Sequence, residues 1–280
     1  EIRTQHQGIS FFVEKLVKLF AGRGSDLLGK YIKKFNGWCL NIFISKTMNS
    51  MIGIGICLLA ALCTSCRQEL IEYGQGDLRI SIEKGDAYLH DFPLFLGISK
   101  KNAPQMAVWT EDMQGNFLST IYVTRKIATQ SWTASGGNRR KEALPCWCHV
   151  RGVRYDDGLY LPTKAEPLTD GVSGATPRED FDVKITPKEG LKRFVVKIEI
   201  NHSTDFNEFY PASAREGDTN YSGGKMGSGQ PAVVYAATVD LSSGRHEFPA
   251  ALIGHSSPDG SDGSVDPDLS TLTSALHIVK

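Results

Sequence analysis

Phe194-Val-Val-Lys-Ile-Glu-Ile200 decides the fold class. Phe194, Val196, Ile198 and Ile200 fall on one face of an extended chain, because successive side chains of a strand point to opposite sides. Working outward, Phe181-Asp-Val-Lys-Ile185 and Leu78-Arg-Ile-Ser-Ile-Glu83 alternate in the same way. Met106-Ala-Val-Trp-Thr110, a polar stretch Asp112-Met-Gln-Gly-Asn116 and Phe117-Leu-Ser-Thr-Ile-Tyr-Val123 read as a β-hairpin. Phe92 to Ile98 is densely apolar. Ala232 to Val239 and His246 to Ile253 are rich in β-formers, and Ala275-Leu-His-Ile-Val279 reads as a last short strand. After Cys66 no stretch predicts a helix of more than a turn or two; Thr271 to Ala275 is the one short exception. At least seven strands with loops between them predict an all-β fold, a β-sandwich, with long loops at 124–145, 155–180 and 204–230.

The other deciding stretch is Ile52-Gly-Ile-Gly-Ile-Cys-Leu-Leu-Ala-Ala-Leu62. This apolar run is shorter than the roughly 20 residues that span a bilayer and matches the core of a signal peptide. It leads into Leu62-Cys63-Thr64-Ser65-Cys66, which resembles the lipobox of bacterial lipoproteins. The resemblance implies cleavage before Cys66 and a diacylglycerol thioether on its sulfur. The usual leucine three positions before the cysteine is replaced here by Cys63. The expected organisation is therefore a non-native upstream extension or helical segment at 1–47, a signal-peptide helix at 48–65, a linker at 66–77 and the β-sandwich at 78–280. The start codon would be Met48 or Met51. Within the upstream part, Ile9 to Phe20 has helical apolar spacing suited to an interfacial helix.

The 280 residues carry 31 basic and 31 acidic side chains. Eight of the basic and three of the acidic groups lie in residues 1–66, so 23 basic groups face 28 acidic ones afterwards, a net charge of −5. Such a domain lacks the electrostatic footprint of a nucleic-acid binder. The expected location is outside the cytoplasm, periplasmic or at the outer membrane, with the membrane met through the anchor and a protein partner in the envelope.

The order of several motifs resembles the periplasmic domain-of-unknown-function family twenty-two seventy-one. These motifs are Ala107-Val-Trp-Thr-Glu-Asp-Met-Gln-Gly-Asn-Phe-Leu-Ser-Thr-Ile-Tyr-Val123, Asp170-Gly-Val-Ser-Gly-Ala-Thr-Pro177, Phe194 to Ser203, and Gly229-Gln-Pro-Ala-Val-Val-Tyr235. The likeness covers residues 78–280. It implies an exported, immunoglobulin-like β-sandwich related to the flagellar hook-capping module, without a settled activity. Binding or scaffolding, rather than catalysis, is the expectation.

One constellation carries chemistry of its own. Asp170, Ser173, Gly174, Ala175 and Thr176 are similar to the attachment motif of covalent flavin carriers, in which a transferase links FMN phosphate to the last threonine. The resemblance makes Thr176 the acceptor, with Ser173, Gly174 and Ala175 keeping the backbone narrow and Asp170 as the leading acid. Pro177 and Arg178 depart from the motif. The plainer reading is a turn of small residues entering the strand at Phe181.

Other candidates are weaker. Asp259, Asp262, Asp266 and Asp268 supply oxygen ligands of the kind calcium takes, in a segment that is also ordinary turn composition. Cys146-Trp-Cys148-His149 has one residue between the cysteines, where haem attachment needs two, and is short of four zinc ligands. Core packing of both thiols is the first reading and a disulfide the second. His202, Ser203, Asp205, His255 and Ser256 bring hydrolase residue types without a nucleophile elbow. Gly223 to Gly229 lacks phosphate-loop spacing and reads as a flexible loop. Phe206, Phe209, Tyr210 and Tyr221 suit either a binding face or a core roof.

Overall fold

The computed structural model describes residues 71–93, 98–130, 132, 139–168 and 171–280. Cys66 and the signal-peptide segment lie outside the described residues, as does Asp170.

The twelve described strands are β1 (Ile71–Gly74), β2 (Leu78–Ile82), β3 (His90–Pro93), β4 (Ser99–Asn102), β5 (Gln105–Glu111), β6 (Phe117–Thr124), β7 (Val172–Gly174), β8 (Phe181–Ile185), β9 (Arg193–Asn201), β10 (Val233–Asp240), β11 (Ala251–Ser256) and β12 (Val265–Asp266). Seven form one sheet in the order β12-β11-β10-β9-β5-β6-β7. β1, β8 and β2 form a second sheet, and β3 and β4 a separate hairpin. The β1–β8 and β6–β7 pairs are parallel; the other pairs are antiparallel. β1 falls inside the stretch read from sequence as linker.

Strand β9 is the middle of the large sheet. Its residues Phe194, Val196, Ile198 and Ile200 join Met106, Val108 and Val233 on one face and pack against Ile82, Phe181 and Val183 of the small sheet. This is the sandwich core. Leu272, Ala275 and Ile278 close its end. Those carboxy-terminal residues do not form the expected strand: Ser274–His277 is a 3-10 helix, and only Val279 bridges to Lys84. The β-rich stretch 246–253 likewise pairs only from Ala251 onward.

The second face of the large sheet is covered too. Two short helices, α1 (Arg125–Thr129) and α2 (Pro145–Val150), lie over it with the segment through Leu161. Ala107, Trp109, Ala232 and Val234 pack there against Ile127, Leu144 and Trp147. The Cys146–Cys148 segment is thus helical. Pro145 stands in the first turn, where its missing N–H costs no hydrogen bond. Among the described residues, no helix is long and apolar enough to cross a membrane.

Candidate functional site

Alternation along β9 points Lys197 and Glu199 to the face that α2 covers. Glu199 sits between Ala107 on β5 and Val234 on β10, two small neighbours that leave room for its carboxyl. It is fully buried. The α2 start has no side-chain cap of its own, since Leu144 stands at that position. Glu199 takes over from the sheet: Cys146 N–H donates to Oε1 at 3.1 Å and Trp147 N–H to Oε2 at 2.8 Å. Burial pushes the Glu199 carboxyl up to about 8, against the pull of those two N–H groups. Trp147 is fixed at its other end, where its indole N–H donates to Thr120 Oγ1 at 3.1 Å.

Next to this carboxyl a half-open cavity of about 140 Å³ is lined by Trp109, Glu111, Cys146, Lys197, Val234 and Val265, among others. Glu111 is buried and fully engaged. Trp109 Nε1–H donates to its Oε1 at 2.7 Å, and Lys197 Nζ lies 2.8 Å from its Oε2. Trp109 and Lys197 are direct cross-strand partners, which sets that geometry. Cys146 Sγ donates to Ser264 O at 3.3 Å. Burial raises the Cys146 and Cys148 thiols well above the ordinary range, so neither is a thiolate at neutral pH. Both cysteines are free and buried. The cavity therefore offers a closed ion pair, a protonated thiol and apolar walls, and it suits the seating of a small side chain.

The sequence-derived flavin segment lies elsewhere, at the β7 edge of the large sheet. Ser173 and Ala175 are exposed there, whereas Thr176 is half-buried. Thr176 Oγ1 donates to Pro104 O at 2.7 Å and lies 3.0 Å from Thr124 Oγ1. Gly174 packs under Tyr73, and Tyr73 O–H donates to Ala175 O at 2.9 Å. The Thr176 hydroxyl is thus turned into the protein and ties the end of β7 to the start of β5.

The acidic loop does not converge on one point. Asp259, Asp262, Asp266 and Asp268 each accept the backbone N–H of the residue two positions on, so each caps its own turn. Among the described residues no three metal-ligating side chains converge. The hydrolase-type residues are also spread out. Ser203 Oγ accepts from Arg140, and Ser256 Oγ accepts from Ala232 N–H. His202 Nε2 lies 2.9 Å from Ala87 O, and burial lowers that imidazole to about 3. Asp205 is buried beside Ser274 Oγ at 2.7 Å and His90 Nδ1 at 3.8 Å. Gly224–Met226 within the glycine-rich loop is a 3-10 turn. Tyr210 is in the core, whereas Phe209 is exposed and meets it edge-on.

Sequence reading missed Glu111, Lys197 and Glu199. The available signal was the charged pair inside the strongest strand, on the side that an ordinary sandwich leaves to water. The family models, the curated proteins and the solved structures contain no match to this chain.

Proposed function

We propose that this chain is exported, held to the cell envelope by a lipid on Cys66, and that its β-sandwich binds or scaffolds a protein partner there rather than catalysing a reaction. The anchor half rests on the Ile52 to Cys66 segment. Membership in the periplasmic domain-of-unknown-function family, with its immunoglobulin-like kinship, belongs to the same proposal and rests on the order of the four motifs.

One observation carries the binding half: the half-open cavity between α2 and the large sheet, about 140 Å³. Sites for cofactors and drug-sized molecules run to roughly 300 Å³ or more. This cavity fits one protruding side chain of a partner. Its polar groups are already satisfied, and its tryptophan and valine walls supply the apolar contact that anchors a protein interface.

Covalent FMN at Thr176 is a second reading, favoured by the exposure of Ser173 and Ala175 beside it. It requires Thr176 to leave Pro104 and Thr124. The metal-dependent hydrolase draws no support from the described residues.

The test uses the full chain expressed in a bacterium. The mature protein should carry a lipid mass increment and partition with membranes, and Cys66→Ala should abolish both. A photoreactive residue at Gly115, on the cavity rim, should give a discrete adduct with an envelope protein. Val150→Trp, which fills the cavity, should remove that adduct. An unchanged adduct sinks the binding half. An FMN increment on Thr176, lost in Thr176→Ala, replaces it with the carrier reading.

A further inference from the structure

We infer that the face carrying Ile98, Lys100, Lys126 and Arg178 rests on an anionic phospholipid surface next to the lipid anchor. The inference depends on the anchor reading for where that surface lies.

The three basic side chains come from three separate segments that the fold brings together. Lys100 is on β4, Lys126 on α1, and Arg178 precedes β8; all are exposed. Arg178 Nη1 donates to Lys101 O at 2.7 Å, which holds its guanidinium against β4. Lys126 lies near both Lys100 and Arg140, and its partial burial together with those like charges lowers its pKa. It also sits over the Trp132 ring, 5.6 Å from the centroid, and Arg140 lies 4.8 Å from the same centroid. Ile98, 56% exposed, is at the start of β4.

The surrounding acids are committed elsewhere. Asp91 pairs with Lys101 at 3.3 Å. Glu179 pairs with Lys84, and Asp180 accepts Lys84 N–H at 2.8 Å. Arg140 is buried and bound to Glu142 at 2.9 Å. Among the described residues, Lys100, Lys126 and Arg178 have no acidic partner within ion-pair distance. An unneutralised basic cluster is unusual for a domain with net charge −5, and it runs against the sign of the whole.

Chain length bounds its distance from the anchor. β1 is parallel to β8 with Ile71 opposite Phe181, so the chain enters the fold at the end of that sheet where Arg178 stands. Cys66 and Ile71 are five residue steps apart, which reach at most about 18 Å when extended. Arg178 is three residues from Phe181, at most about 11 Å of chain. A tether of that length lets the basic groups reach the membrane surface. Attraction between them and anionic headgroups acts within roughly 8 Å at physiological salt. An exposed isoleucine among basic side chains matches the composition of interfacial membrane contacts.

The experiment uses the processed, lipidated full chain carrying Ile98→Cys labelled with a polarity-sensitive fluorophore; Cys146 and Cys148 are buried and stay unlabelled. The protein is reconstituted in vesicles of phosphatidylcholine alone or of a mixture rich in phosphatidylglycerol. The expected result is a blue shift only in the anionic vesicles, reversed by molar salt. It should be lost in the Lys100→Gln, Lys126→Gln, Arg178→Gln triple variant, which removes the charges, keeps polar side chains and is checked for folding by near-ultraviolet circular dichroism. Equal emission in the two lipids, or a shift retained by a folded triple variant, overturns the inference. So does a shift that appears only when envelope protein is added. Failure of the anchor reading is seen separately: the Cys66→Ala protein would then co-sediment with vesicles as the lipidated protein does.

Discussion

Trp147 N–H donates to Glu199 Oε2 at 2.8 Å, so a carboxyl from the centre of a sheet caps a helix that packs over it. The arrangement makes stability depend on pH. Folding raises the carboxyl from an ordinary value near 4.5 to about 8, chiefly by burial. Between those values the folded state holds a proton that the unfolded state has lost. The stability this group contributes is therefore full below about pH 4.5 and falls as pH rises toward 8, by at most about 1.4 kcal/mol per pH unit. Urea unfolding across that window should show the decline, and Glu199→Gln should flatten it. A variant with the wild-type slope refutes the assignment.

Lys197 and Glu111 form the polar wall of the cavity, and only Glu111 is deeply buried. Lys197→Met leaves the Glu111 carboxylate with the Trp109 indole as its remaining partner. The expected cost is about 1–3 kcal/mol in urea unfolding. Glu111→Gln together with Lys197→Met should cost less than the two single changes added, with a coupling of about 1 kcal/mol. Additive costs would mean that the pair is not formed in solution.

The sandwich core was legible because β9 and β8 alternate cleanly and their apolar faces meet. The second covered face was not. Lys197 and Glu199 follow the same alternation, but a charged residue at a strand position reads as solvent-facing unless the covering element is known. That element, α2, is six residues long and begins at a proline after a non-capping leucine. Its cap comes from Glu199, more than fifty residues away, so no local pattern announces it. The carboxy-terminal misreading has a related cause. Leu276 and Ile278 alternate as in a strand, yet Ser274–His277 turns as a 3-10 helix that lets Ile278 reach the core. The small residues of the Asp170 to Thr176 motif were readable, but not the direction of the Thr176 hydroxyl, which Pro104 and Thr124 set from distant strands.

Gly229 bridges to Asp205 with φ +80°, and a Cβ there would stand 2.4 Å from the Asp205 carbonyl carbon. Gly244 has a similar φ of +74° and open space around it. Gly244→Ala should cost only the left-handed backbone penalty, about 1–2 kcal/mol. Gly229→Ala should cost distinctly more, because backbone rather than a flexible side chain must shift. Thermal unfolding of the two variants side by side measures the difference. Equal losses would show that the 202–205 and 228–230 segments are not locked together.

Cys146 and Cys148 are both nearly inaccessible, and burial holds both thiols protonated. Reaction with a thiol reagent requires a thiolate and a path to it. The folded state holds no thiolate at either position, and Cys148 has no path to it until the helix-covered face opens. Peptide mapping after labelling in increasing urea should therefore find both residues modified along the same transition that circular dichroism reports, and unmodified before it. Early labelling of Cys146 alone would show that the cavity breathes enough to admit the reagent beside Ser264. Early labelling of both would mean that α2 detaches from Glu199 before the sandwich unfolds, and the raised Glu199 carboxyl would then report local opening instead of global stability.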